Sequence, residues 1–312
     1  MDVKRLGTAL GLTLALAAAF AQPASAEGVD RTYVVGDEPW AMAVDPTDGR
    51  VFVGKTGGSS DRLVVIDPGT GATATYNTTG IPNYLAVDPV HRRLYVSNHN
   101  SAVDVFDLTT MTVEATLPIG GAGIAVDPLT RRVYVASASA LWVIDGATNA
   151  VVATRSASED QDWIAVAIDP DLHHVYVTNI SPWFDGTGTP INRSLVVLDD
   201  RDLSVVAEVR TDVYVRWGIA VDKARHRVYL ADNSSITSAG RVAIVDGASL
   251  TLMRSTPVAG TTGGVALAPD GVYVMTFATA YYVLDPDTLA TKRTISTLPF
   301  RSLWRETCRT AL

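Results

Sequence analysis

A single cysteine, Cys308, stands among 312 residues, so no disulfide can form within the chain and packing alone must hold it. Charged residues are few at 19% and aromatic residues fewer at 7%, and acidic side chains outnumber basic ones by 33 to 25. The resulting formal net charge of −8 repels phosphate, which argues against nucleic acid as a partner. Long charged runs and long helical periods are absent, and 24 Gly and 15 Pro point to many short elements joined by turns rather than to a coiled coil. Also missing are a Gly-x-Ser-x-Gly elbow, a His-Glu-x-x-His zinc motif and a phosphate-binding glycine loop. No catalytic residue, metal ligand set or cofactor is therefore assigned, and an enzyme is the minority reading.

What is present begins with the first 26 residues. Lys4 and Arg5 precede an apolar stretch from Leu6 to Phe20, followed by Ala24-Ser25-Ala26, a small-x-small site for cleavage before Glu27. The stretch of 15 residues (6 to 20) is shorter than the roughly 20 that a membrane-spanning helix needs. The expectation is a cleaved secretory signal (1–26), no transmembrane segment after it, and a secreted, periplasmic or extracellular monomer whose single domain spans 27–312.

Within that domain one pattern recurs six times: a small apolar run closing on Val-Asp-Pro or a relative, a polar turn, then an aromatic-Val strand. The repeats fall at about 37–80, 81–120, 121–158, 159–211, 212–259 and 260–298. A second strand in each ends in Asp67, Asp107, Asp145, Asp199, Asp246 or Asp285, spaced 40, 38, 54, 47 and 39 residues apart. That period matches a four-stranded propeller blade. In every copy an alanine (Ala43, Ala86, Ala125, Ala167, Ala220, Ala266) sits between two bulky apolar residues. Such period-two alternation marks a strand, and the small position fits where inner strands crowd toward a common axis. The fold class predicted is all-β, a propeller of four-stranded antiparallel blades. Six repeats are complete, and a lone outer strand is expected at 32–35, so six and seven blades both stay open.

These segments also carry a family resemblance. Tyr176-Val177-Thr178-Asn179, its near copy Tyr95-Val96-Ser97-Asn98, and the Ala-Val-Asp-Pro runs resemble the signature of YVTN-repeat, YncE-like propellers over about residues 31–297. The resemblance implies an exported protein. It also brings the activities of related propellers: a lactonase-like hydrolase, a cofactor-dependent dehydrogenase domain, or single-stranded DNA binding.

The recurring aspartates are explained by turn chemistry, since an Asp opening a turn bonds the amides that follow it. His91, the adjacent His173 and His174, and His226 occupy equivalent hairpins of three repeats, so they spread round the ring rather than converge. The 54-residue step marks one sector instead. There a long loop brings Trp183, Phe184 and Asp185, and neighbouring connections bring Glu159, Asp160, Asp162, Trp163, Tyr214, Arg216 and Trp217. Aromatic and charged residues in connections that do not need them for turn geometry indicate a binding rim. The expected function is a non-catalytic scaffold presenting that rim to an unknown protein, peptide or cell-envelope ligand. A propeller enzyme would instead need a metal or cofactor near His99, Asp160 or Asp232.

Overall fold

The computed structural model describes residues 33–36, 38–58, 62–99, 101–180, 193–232, 239–276 and 280–296. They form a six-bladed β-propeller: six four-stranded antiparallel sheets in a ring, each taking its strands in chain order from the axis outward. Blade 1 comprises β1 (Pro39–Val44), β2 (Val51–Lys55), β3 (Leu63–Ile66) and β4 (Thr73–Tyr76). Blade 2 comprises β5 (Pro82–Asp88), β6 (Arg93–Asn98), β7 (Val103–Asp107) and β8 (Thr112–Leu117). In blade 3 follow β9 (Ile124–Asp127), β10 (Arg132–Ser137), β11 (Ala140–Asp145) and β12 (Val151–Ser156). Blade 4 holds β13 (Asp162–Asp169), β14 (His174–Ile180), β15 (Arg193–Asp199) and β16 (Val205–Arg210). Blade 5 holds β17 (Gly218–Asp222), β18 (Arg227–Ala231), β19 (Ala239–Asp246) and β20 (Thr251–Ala259). Blade 6 ends the series with β21 (Thr262–Ala268), β22 (Gly271–Thr276), β23 (Ala280–Leu284) and β24 (Thr291–Ser296). Among the described residues no helix is long and apolar enough to cross a membrane.

The small-and-bulky alternation of the inner strands is what stacks the blades. Ala43 of blade 1 packs in a cluster with Leu85 and Val87 of blade 2. Ala125 of blade 3 likewise meets Val166 and Ile168 of blade 4. Where even a methyl group is too large, glycine stands: a Cβ on Gly123 would lie 2.6 Å from the carbonyl oxygen of Ile164, whose bond from the Gly123 amide joins blades 3 and 4 directly. The aromatic residues of the second strands, Phe52, Tyr95, Tyr134, Tyr176 and Tyr229, are fully buried between successive blades.

Turn chemistry accounts for both sets of aspartates. Asp67, Asp107, Asp145, Asp246 and Asp285 each accept hydrogen bonds from the amides two and three residues on. In the first hairpins Asp45, Asp88, Asp127 and Asp169 are buried and accept from the amide two residues ahead. Of the outer strand expected at 32–35, the described residues 33–35 take no strand conformation. Residues 33–36 pair with no sheet, and Tyr33 and Val35 instead lay their side chains on the face of blade 1.

Candidate functional site

Antiparallel pairing places every connection into an inner strand on one rim, here called the mouth, and the two hairpins of each blade on the other. In blades 1, 2, 4 and 6 the inner strand shifts register at its mouth end, between Pro39 and Ala41, Pro82 and Tyr84, Trp163 and Val166, and Thr262 and Gly264. Such bulges re-aim side chains and are common beside binding sites.

The connection from β16 to β17 crosses the mouth. Val213 and Val215 are buried in the cluster shared by blades 4 and 5, which anchors the segment. Tyr214 between them is half-buried, and Arg216 is exposed. Trp217 meets Trp40 of blade 1 edge-on, with ring centroids 4.9 Å apart and planes at 85°. The Arg216 guanidinium lies 5.8 Å from the Trp217 ring centre, a cation–π distance. From blade 2 the Tyr84 hydroxyl donates to the Arg216 carbonyl at 2.8 Å. Three blades thus converge on one short segment, with Trp40 still 40% exposed.

Asp162, at the start of β13, adds a carboxyl whose pKa burial raises, with Arg216 opposing the shift. Burial also raises Tyr214, whose phenol senses Arg216 and Asp162, and it raises Tyr84, again with Arg216 opposing. The site therefore joins two exposed-edge indoles, two phenols, one guanidinium and one carboxyl held toward its neutral form.

The sequence-predicted residues divide. Asp162, Tyr214, Arg216 and Trp217 are brought together. Glu159 and Asp160 are exposed in the connection that leads into β13. Trp163 is not at the surface: only 1% of it is exposed, and it belongs to the core between blades 3 and 4. The bulge after it is the reason, because the register shift turns Trp163 to the face of Val166 and Ile168. Trp183, Phe184 and Asp185 lie outside the described residues.

Two residues of the mouth, Trp40 and Tyr84, were not singled out from sequence. A signal for Tyr84 exists. Two positions before the recurrent alanine the other copies carry Ala41, Gly123, Ala165, Gly218 and Gly264, and only this one carries a large ring.

The histidines spread over the hairpin rim as expected. His91 Nδ1 lies 2.7 Å from Asp88, His173 Nδ1 3.2 Å from Asp200, and His226 Nδ1 2.8 Å from Asp169. His99 is fixed through its backbone, its amide donating to the carbonyl of Ile81. Among the described residues no three metal-ligating side chains group together. Comparison with known proteins finds no family model and no curated protein that matches this chain.

Proposed function

We propose that this protein is an exported, non-catalytic binding scaffold whose mouth takes a peptide segment carrying basic and aromatic side chains. The observation that carries the reading is the convergence of Trp40, Tyr84 and the Arg216-Trp217 segment from three blades onto one partly exposed surface. Rigid aromatic rings give contact area at small entropic cost. The exposed carboxylates of Glu159 and Asp160, in the connection that leads into β13, favour a cationic ligand. Export rests on the pattern of the first 26 residues, basic then apolar then small-x-small, and on the resemblance to YVTN-repeat propellers.

Titration of tryptophan fluorescence with a Lys/Arg-rich and a Glu-rich peptide of equal length tests this. A saturable response to the basic peptide is expected, weakened at least tenfold by Trp40→Ala or Trp217→Ala and reduced by salt. A response equal for both peptides, or one unaffected by either substitution, would overturn the reading.

A second reading follows from Asp162, whose carboxyl burial shifts toward the neutral form, the direction that a general acid needs. It separates from the first through Asp162→Asn, which spares peptide binding only if the carboxyl serves chemistry rather than recognition.

A further inference from the structure

Blade 3 uses both of its faces on its neighbours. On the hairpin rim, side chains that open a second strand tie one blade to the next: Arg93 of blade 2 donates to the carbonyl of Gly146, and Arg132 of blade 3 donates to that of Asp200. Apolar clusters fill both junctions. What a blade has left is the free edge of its outermost strand, a row of N–H and C=O groups that an extended chain can pair with unless side chains oppose it. The outer edges are guarded unequally. β8 carries Glu114, β16 carries Glu208 and Arg210, β20 carries Arg254 and Pro257, and β24 carries Lys292 and Arg293. Charge and proline are common obstacles to a further strand. β4 has no charge, but it is four residues long and ends on Tyr76, which packs onto the cluster between blades 1 and 2.

β12 meets neither obstacle before its fifth residue. Ala150 to Thr154 form an uncharged run of small and β-branched side chains, and β12 alone among the outer strands is exposed at every residue. A bulge at its start leaves Val152 without an opposite residue on β11, and Val151 and Val152 are 41% and 53% exposed. Bulges open the outer strands of blades 2, 4, 5 and 6 as well, so the missing charge is what sets β12 apart. From Ala153 to Ser156 the strand keeps regular register with Ala140 to Val143, which leaves its outward backbone groups in line for pairing.

We infer that β12 is a docking edge for the β12 of a second copy of this chain, the two strands running antiparallel about a two-fold axis. Charge points to a copy rather than to an arbitrary strand. With a net charge of −8 two copies repel over most of their surface, yet this edge holds no carboxylate and a single cation, Arg155. Antiparallel pairing carries each Arg155 to the acidic end of the opposite strand. There the Asp145 amide donates to the Ala150 carbonyl at 2.9 Å, and the Asn149 side chain holds Glu114 at 2.7 Å. A register centred between Val152 and Ala153 sets Arg155 opposite Ala150 and beside Asp145, whose carboxyl the bonds from Thr148 hold below the usual range. Outer strands run from the hairpin rim to the mouth, so the paired molecules turn their mouths to opposite sides and leave both open. One strand pair is small against the about 800 Å² per partner of a standard interface, and the dimer therefore forms only as concentration rises. The sequence suggested a monomer because an unguarded edge shows only once the outermost strand of each blade is known.

Sedimentation equilibrium of the purified protein across a wide range of concentration tests the inference. A reversible monomer–dimer equilibrium is expected. Val152→Lys sets two ammonium groups side by side at the centre of the pair, and Arg155→Glu turns a carboxylate toward the acidic end. Each should weaken association at least tenfold, and because both side chains are exposed the thermal midpoint should not move. To locate the contact, Val152→Cys in a Cys308→Ser background should be joined between chains by a short thiol cross-linker, whereas Val206→Cys, at the matching position of β16, should not. A monomer at every concentration would overturn the inference. Self-association that survives both charge substitutions would do the same, since it would place the contact elsewhere. A monomer whose β12 instead takes up an added Val/Thr-rich peptide would assign the edge to a foreign strand and equally overturn it.

Discussion

Tyr84 of blade 2 donates its phenolic proton to the backbone carbonyl of Arg216, 2.8 Å away in the connection that leads into blade 5. In a six-bladed ring those blades face each other across the axis, so one side chain spans the mouth and fixes the segment that carries Arg216 and Trp217.

Removing only that hydroxyl should therefore be measurable. Tyr84→Phe is expected to lower stability by about 0.5–1.5 kcal/mol, the net worth of one hydrogen bond, while keeping the ring in place. Tyr84→Ala should also change the tryptophan emission, because the segment bearing Trp217 loses its anchor. Denaturant unfolding and fluorescence of the two variants check this; an emission change in Tyr84→Phe as large as in Tyr84→Ala would show that the ring contributes nothing.

Asp162 carries the opposite sign from the turn aspartates. Burial raises its pKa in the folded state, so the folded chain holds that proton more tightly than the unfolded one. Its contribution is most favourable below the ordinary carboxylate range and declines as pH climbs through the raised value. Asp162→Asn should consequently be more stable than the unaltered protein at pH 7 and converge with it near pH 3. Parallel unfolding curves at several pH values decide the matter, and a destabilised Asn variant at neutral pH would contradict it.

On the hairpin rim, the hydrogen bond to Asp169 raises the pKa of His226, with Asp171 and Asp246 adding to the shift. A raised histidine stabilises below its unfolded value of about 6.5 and ceases to do so as pH rises through the folded one. The bond joins blades 4 and 5, so the loss falls on that junction. His226→Asn should flatten the stability profile between mildly acidic and alkaline pH, read as thermal midpoints. An unchanged slope would assign the pH dependence to other groups.

The propeller was legible because its determinants are local and repeated. An alanine between bulky neighbours and an aspartate two residues before the amide it bonds are both visible in the chain, and both do in the structure what their spacing implies. The site was legible only in part. Arg216 and Trp217 stood out because their connection has no need of them. Trp163 misled because its exposure depends on a register shift three residues long, which leaves no mark in the sequence. Trp40 escaped notice because its partner sits 177 positions away and only ring geometry joins them.

The ties between blades run in one direction, from the start of the second strand in each of the first five to the end of the third strand in its successor. Every internal blade is therefore a donor on one flank and an acceptor on the other. A copy of blade 3 spliced in after itself would meet complementary chemistry on either side, as repeat architectures allow. Blade 6, with Gly271 at the donor position, could not pass that tie to a blade copied after it.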